Sequence, residues 1–236
     1  MVSTVYTTLT RQAGLMREMQ VVAHNIANIS TTGFRREGVI FSEYVKRMDG
    51  EPSLSMAYGN TRHVDLRQAG LSQTGGAFDF AIQGEGFFLI ETPQGQALTR
   101  AGSFTPNAEG ELVNGDGHRL LDRGGAPIFV PPDAGKVALS VDGTLSARGR
   151  PLAQIGLWQP SDPLKMTHDG GTVFNSPTVE AAEGATILQG FVEESNVNPI
   201  SEIARMISVQ RAYEMGQGFL EKEDERMRGV IQTLGR

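Results

Sequence analysis

Apolar residues near the N-terminus recur at alternating spacings of four and three residues. Between Ser3 and Ile29, the positions in this register are Val5, Leu9, Gln12, Met16, Met19, Ala23 and Ile26. All but one of them are apolar, and this spacing places their side chains along one narrow stripe of an α-helix. The pattern predicts a long N-terminal helix with a single apolar seam that needs a partner to cover it.

The same spacing returns at the C-terminal end of the chain. From Ile203 to Leu234 most positions in the register are apolar or aromatic. The seam positions that we expect to form an interface are Ile203, Met206, Gln210, Tyr213 and Leu220, with Ile207 beside them. Asn198 followed by Pro199 predicts where this helix begins, because asparagine caps the free N–H groups and proline suits the first helical position.

The region between the two helical patterns has a different composition. From about residue 70 to 190, glycine, proline and short alternating runs replace the helical spacing, which indicates an all-β region. In "VALSVDGTLSA", the pair Asp142-Gly143 between two alternating runs predicts a β-hairpin. Residues 36–69 are polar, with Pro52 and several glycines, and predict an irregular or extended arm.

These patterns predict an α+β fold in which N- and C-terminal helices form a coiled coil and carry a central all-β domain. The predicted divisions are residues 1–35 for the first helix, 36–69 for the arm, 70–190 for the β-domain and 191–236 for the second helix. Such a plan suits a subunit that polymerises, because helices with uncovered seams can pair with each other and with neighbouring copies.

The stretch "NIANISTTGFRR" lies where the first helix is expected to end. Asn25 and Asn28 compete for backbone hydrogen bonds and weaken the last turn. Gly33 in a left-handed conformation, with Phe34 packing back on Ile29, would complete a Schellman cap. We therefore expect Asn25, Asn28, Gly33 and Phe34 to end the helix and turn the chain outward, and a bulky residue at Gly33 to disturb this exit more than the β-domain.

Composition removes several classes of function. The 236 residues carry a net charge of −6 and are 39% hydrophobic, without an apolar run long enough to span a bilayer. The sequence thus predicts neither membrane insertion nor nucleic-acid binding, which needs a basic surface. The first ten residues lack the basic and apolar segments of a cleaved secretory signal. Cysteine is absent, so neither disulfides nor thiolate ligands are available.

Catalytic and metal-binding motifs are not found in the sequence. The four histidines share no ligand spacing such as HxxxH, and "GEGFF" lacks the third glycine of a dinucleotide-binding loop. Neither a GxSxG motif nor a phosphate-binding P-loop is present. We expect a protein that is not an enzyme and binds no cofactor or metal. A carboxylate pair brought together by the fold stays possible on sequence grounds.

Three blocks of the sequence resemble one protein family. "NIANISTTGFRR" resembles the signature NxANxxTxGFK/R of bacterial flagellar axial proteins, the rod and hook family. "DFAIQGEGFFLIETPQGQALTRAGSFTPNAEGELVNGDGHRLL" is similar to the core motif of the members that carry a β-domain. "ESNVNPISEIARMISVQRAYEM" resembles their C-terminal signature. The three blocks follow in order across nearly the whole chain. Two positions depart from the family pattern, Glu85 and Leu98.

The resemblance implies a structural subunit of the flagellar basal-body rod. It implies a helical drive shaft in the periplasm that transmits torque from motor to hook, built from copies of this chain and neighbouring rod proteins after type III export. The short chain and its C-terminal block are most similar to proximal rod subunits. The alternatives are a distal rod subunit, which usually has a longer segment after the first signature, and a periplasmic carbohydrate-binding or peptidoglycan-modifying protein.

Overall fold

The computed structural model describes the backbone of residues 2–48 and 51–234 and the side chains of residues 7–40 and 62–233. It is an α+β structure with a helix at each end and strands between them. The described chain divides into two compact units. The first unit contains residues 2–27, 37–62 apart from 49 and 50, and 198–234, and the second unit contains residues 28–36 and 63–197.

The first unit contains the two helices that the sequence predicts. Helix α1 is Val2–Ala27 and helix α2 is Pro199–Leu234. Asn198 caps α2, because its Oδ1 accepts the backbone N–H of Ser201 at 3.0 Å, and the predicted start at proline is therefore confirmed. Neither helix, over the residues described, has an apolar stretch of the length needed to cross a membrane.

Helices α1 and α2 pack against each other in antiparallel orientation. The carboxylate of Glu18 contacts Arg205 at 2.8 Å, and the side chain of Gln12 donates to the backbone oxygen of Tyr213 at 2.8 Å. The buried and half-buried face of α2 follows a heptad spacing through Glu202, Met206, Val209, Tyr213, Gly216, Leu220 and Glu223. This spacing is the one that keeps a seam against a partner helix along its length.

Two long strands lie within residues 36–69, where the sequence predicted an irregular or extended arm. Strand β1 is Glu37–Met48 and strand β2 is Glu51–Val64, and they pair as a two-stranded sheet. The sequence of β1 contains β-branched and aromatic residues such as Val39, Ile40 and Tyr44, which favour strands. Because polar residues interrupt them without strict alternation, the period-2 signal is weak.

The second unit is built from short strands. They are β3 (Leu71–Gln73), β4 (Phe80–Gln83), β5 (Phe87–Thr92), β6 (Gly95–Thr99), β7 (Thr105–Pro106), β8 (Leu112–Val113), β9 (Arg119–Leu120), β10 (Val137–Leu139), β11 (Thr144–Ala147), β12 (Arg150–Gln154), β13 (Leu157–Pro160), β14 (Thr167–Gly170), β15 (Val173–Asn175), β16 (Val179–Ala181), β17 (Thr186–Gln189) and β18 (Phe191–Glu193). A single 3₁₀ turn, Pro163–Lys165, interrupts the described strands. The described region between the helices is thus mostly β-structure.

The strands of the second unit form four antiparallel sheets. The largest has the order β14-β15-β6-β5-β9-β8-β7, and β13 joins it by pairing with β5 and with β16. The smaller sheets are β10-β11-β12, β17-β4 and β18-β3. The predicted hairpin at Asp142-Gly143 joins β10 to β11, and Gly143 donates its N–H to Ser140 at 3.0 Å.

Two apolar clusters fill the interior of the second unit. The larger one includes Phe80, Phe88, Ile90, Phe104, Leu112, Leu120, Ile128 and Leu145. The smaller one includes Phe87, Leu89, Leu98, Leu121, Met166 and Phe174, with the half-buried Trp158 against it. Trp158 is the single tryptophan of the chain, so its fluorescence reports on the folding of this unit.

Candidate functional site

The predicted interface positions of α1 lie largely outside the contact with α2. Leu9 and Met16 are 48% and 40% exposed, and Met19 and Ile26 are half-buried. The side chain of Val5 lies outside the described residues. The structure thus leaves an apolar stripe of the first helix accessible within its own unit.

The predicted positions of α2 divide into two groups. Met206, Tyr213 and Leu220 are half-buried on the face toward α1. The exposed group is Ile203 at 50%, Ile207 at 46% and Gln210. On this helix the structure therefore brings half of the predicted seam against α1 and leaves the rest exposed.

On each helix, part of the packed face is displaced by one residue from the predicted seam. On α1 the face toward α2 contains Leu15, Glu18, Val22 and Asn25, whereas the predicted stripe contains the residues that follow each of them. One residue is about 100° around a helix. Apolar spacing alone could not distinguish the two faces, because both carry residues at coiled-coil spacing.

Asn25 connects three segments of the first unit. Its Nδ2 donates to the backbone oxygen of Glu37 at 2.9 Å, and its Oδ1 accepts the backbone N–H of Glu37 at 2.9 Å. The same Nδ2 also donates to the carboxylate of Glu202 at 3.1 Å. All three residues are buried. Asn25 therefore ties the end of α1 to the start of β1 and to the first turn of α2.

Charged groups around this contact are partly compensated. The buried carboxylate of Glu37 lies 3.4 Å from Nδ1 of His24 and 3.8 Å from the guanidinium of Arg62. Glu202 lies in the first turn of α2, where the positive end of the helix dipole stabilises an acidic side chain. The arrangement favours a fixed junction of strand and helices.

The Schellman cap predicted at Gly33 is not formed. Helix α1 ends at Ala27, and the following residues make turns in which Thr31 donates its N–H to Asn28 at 3.2 Å and Phe34 donates to Thr31 at 3.2 Å. The hydroxyl of Thr31 also donates to Oδ1 of Asn28 at 3.1 Å. Local side-chain hydrogen bonds compete with the helical ones at this point, so the helix stops earlier than predicted.

Gly33 is required by a close approach within the second unit. Its φ is +73°, and a Cβ at this position would overlap with the backbone of Arg100 and Ala101. Its N–H donates to the backbone oxygen of Glu193 at 2.7 Å. Phe34 is fully buried beside it. The structure therefore moves the expected effect of a substitution at Gly33 from the helix exit to the second unit.

Asn196 joins two backbone segments of the second unit that are distant in sequence. Its Oδ1 accepts the backbone N–H of Arg36 at 2.6 Å. Its Nδ2 donates to the backbone oxygens of Asp65 and Arg67, both at 2.9 Å. Asp65 donates its own N–H to the oxygen of Arg36 at 2.8 Å. One side-chain amide thus fixes segments 34–36 and 65–67 against the chain just before α2.

Glu193 is fully buried and binds two arginines. Its Oε1 lies 2.7 Å from Nη1 of Arg35, and its Oε2 lies 2.8 Å from Nη1 of Arg100. Oε1 also accepts the N–H of Ala69 at 2.8 Å. The guanidinium of Arg100 lies 5.4 Å from the ring centroid of Phe87. These contacts tie three sequence segments, at residues 35, 69 and 100, to one carboxylate.

The two arginines are buried at a cost. Burial lowers the pKa of Arg35, although the attraction of Glu193 opposes this shift. Burial lowers the pKa of Arg100 to about 10, with Glu193 opposing the shift and Arg35 adding to it. Two cations therefore share one anion in a dry environment, and the carboxylate is the group that makes their burial tolerable.

Sequence reasoning missed the roles of Glu193, Arg35 and Arg100. It places Arg35 only at the end of the helix, and it includes Asn196 only as part of a family signature. Hydrophobic spacing gives no signal for buried charges. The available signal was the occurrence of Arg35, Arg100 and Glu193 within or beside the three family-like blocks, which suggests that these blocks meet in the fold.

Comparison with known proteins identifies the family. Residues 81–147 match the family described as flagellar hook protein FlgE/F/G D1 domain, and residues 188–233 match flagellar basal body rod FlgEFG protein C-terminal. The chain is 38% identical to the flagellar basal-body rod protein FlgF of Mesorhizobium japonicum, over 100% of this chain and 99% of that protein. The chain belongs to the FlgF family of flagellar basal-body rod proteins.

Other relatives agree with this assignment. The FlgF protein of Caulobacter vibrioides is 36% identical over 98% of both chains. The FlgG protein of Bacillus subtilis is 30% identical over 99% of this chain and 98% of its own. The similarity to the FlgF family is thus higher than the similarity to this FlgG protein. The C-terminal match contains both Glu193 and Asn196, and the D1 match contains Arg100.

Proposed function

We propose that this chain is a structural, non-enzymatic subunit of the flagellar basal-body rod, in its proximal part. It assembles with copies of itself and with neighbouring rod proteins into a helical shaft that carries torque from motor to hook across the periplasm. Delivery by the flagellar export apparatus belongs to the same proposal. The FlgF relatives, which cover the whole chain, support this function over that of the distal rod protein FlgG.

The observation that carries the proposal is the exposed apolar stripe on each helix of the first unit. Leu9 and Met16 on α1, and Ile203 and Ile207 on α2, are exposed although their spacing is that of a seam. Apolar stripes of this kind are stable when another helix covers them. We infer that α1 and α2 form a coiled-coil axial domain and that neighbouring subunits cover these stripes.

The clusters around Asn25 and Glu193 suit a subunit that transmits force. The chain passes between its two units four times, after residues 27, 36, 62 and 197. Asn25 fixes chain segments in the first unit beside these passages, and Asn196 and Glu193 do so in the second. A shaft subunit needs chain segments that are held firmly within each unit, because loose segments would absorb rotation instead of transferring it.

Ile207→Asp tests the proposal directly. In the assembled rod the new carboxylate would be pressed against apolar neighbours, and an unpaired buried charge costs several kcal/mol at each contact. In the free chain, residue 207 is exposed and the change should have little effect on folding. We expect cells with this variant to make and export the protein but to lack completed rods and to be non-motile.

Leu164→Asp provides a matched control. Leu164 is also a large exposed apolar residue, but it lies on the 3₁₀ turn of the second unit. Its substitution should leave swimming unchanged. Rods isolated from both strains should be examined for the variant protein by mass spectrometry. Normal swimming with Ile207→Asp present in the rod would contradict the proposed role of this helix face.

A further inference from the structure

Helices α1 and α2 leave a groove along one side of their contact. The groove has a volume of about 320 Å³ and lies entirely within the first unit. Leu15, Met215 and Phe219 form its apolar wall, Gln12 and Gly216 lie at its floor, and Arg11 lies at its edge. The exposed charge at its edge is available to a partner.

The side chain of Gln12 lies at the floor of this groove and links the two helices. It is buried, and its Nε2 donates to the backbone oxygen of Tyr213 at 2.8 Å. Its Oε1 is buried and has no hydrogen-bond partner among the described residues. A buried acceptor without a partner is costly. Gly216 makes room for the amide, because a Cβ there would overlap with Nε2 of Gln12.

Arg11 provides an uncompensated positive charge at the edge of the groove. Its side chain is exposed, and it forms no ion pair with any carboxylate in the described part of the chain. The groove therefore offers an apolar wall and a cation at its edge. A partner that matches it needs apolar side chains and a carboxylate at helical spacing.

The outer face of α2 carries this set of groups in the same chain. Ile203, Ile207, Gln210 and Glu214 are spaced by four, three and four residues and are all exposed, so they form one stripe. Nε2 of Gln210 donates to the carboxylate of Glu214 at 3.0 Å, and the amide has a second N–H to donate. We call this stripe the α2 ridge.

We propose that the groove binds the α2 ridge of a second copy of this chain. Ile203 and Ile207 of one copy pack on the apolar wall of the next. Glu214 of the first copy pairs with Arg11 of the next. This inference names the partner for the helix surfaces and rests on the proposed rod function.

The contact is directional because the ridge and the groove are different surfaces. The ridge of α2 points away from the face that contacts α1, which contains Glu202, Val209 and Gly216. Each copy therefore offers one ridge and one groove. Contacts of this head-to-tail type generate an open helical polymer when the rotation does not close. The charges at Arg11 and Glu214 fix the register and exclude like-charged partners.

Charge reversal in separate chains tests the proposed contact. Full-length Arg11→Glu and Glu214→Arg should each lose self-association by at least about tenfold, because each brings like charges together at every contact. An equal mixture of the two variants should recover it. When the ridge of an Arg11→Glu chain docks in the groove of a Glu214→Arg chain, the unchanged Glu214 meets the unchanged Arg11. When the ridge of a Glu214→Arg chain docks in the groove of an Arg11→Glu chain, the new arginine meets the new glutamate, and this pair also has opposite charges. Analytical ultracentrifugation of wild type, each variant and the mixture measures this.

The mixture separates contacts between copies from effects within one copy. Each chain in the mixture still carries its own substitution. If the substitution reduced self-association by disturbing the chain that carries it, mixing the two variants would not restore self-association. Recovery supports the docking of the α2 ridge. Wild-type protein that stays monomeric at all concentrations, or variants that associate like wild type, would overturn it. If the charge reversals have no effect while Ile207→Asp still prevents rod assembly, the docking is wrong and the proposed rod function stands.

Discussion

Gly33→Ala is expected to destabilise the second unit by about 3 kcal/mol. An L-residue at positive φ costs roughly 1–2 kcal/mol. The added Cβ would also overlap with the backbone at Arg100 and Ala101. Relieving that overlap requires a shift of the backbone, which destabilises the unit by about 1–3 kcal/mol more. The free energy of unfolding can be measured in urea by the fluorescence of Trp158.

Gly75→Ala isolates the backbone contribution. Gly75 has a φ of +74°, nearly the same as the +73° of Gly33, but no atom lies within 4 Å of its Cβ position. It belongs to the same unit. The control should therefore lose only about 1–2 kcal/mol. If both variants lose the same free energy of unfolding, the close approach of Gly33 to residues 100 and 101 does not contribute to the effect of the substitution.

Glu193→Ala is expected to lower the free energy of unfolding by about 3–5 kcal/mol. The substitution leaves Arg35 and Arg100 buried and without their shared carboxylate. It also removes the acceptor for the N–H of Ala69. Without Glu193, the pKa of Arg100 should fall further below its ordinary value, because the interaction that opposes the effect of burial is lost. Urea unfolding at neutral pH measures the loss.

Glu91→Ala is the matched control for the buried carboxylate. Glu91 pairs with Arg119 at 2.7 Å, a distance as short as that of the buried pair, but both side chains are 41% exposed. Exposed ion pairs contribute about 0–1 kcal/mol. We therefore expect a loss several times smaller than at Glu193. Comparable losses at both sites would mean that burial does not determine the importance of this cluster.

Features encoded by local spacing could be predicted from the sequence. The two terminal helices follow from apolar residues at intervals of three and four, and the start of α2 follows from Asn198 and Pro199. The hairpin at Asp142-Gly143 follows from turn chemistry. In each case the residues that determine the structure are near one another in the chain, so no knowledge of the fold was needed.

Features that depend on distant residues could not be predicted in this way. The sequence pattern places Asn25 and Gly33 at the end of a helix, because the helical spacing of apolar residues stops beside them in the chain. In the structure Asn25 binds Glu37 and Glu202, and Gly33 contacts residues 100 and 101. The same reason applies to the choice of helix face. Which face of each helix packs within the unit depends on the partner helix, and the spacing within one helix does not reveal it.

The cluster around Asn196 and Glu193 also has a kinetic consequence. Arg36 and Asn196 are 160 residues apart, and Ala69 and Glu193 are 124 residues apart. Contacts between such distant residues form late, because the entropy of closing a long loop must be lost first. The second unit can be completed only when residues 193–197 have become available. A chain that is synthesised from its N-terminus must therefore be almost complete before this unit can close.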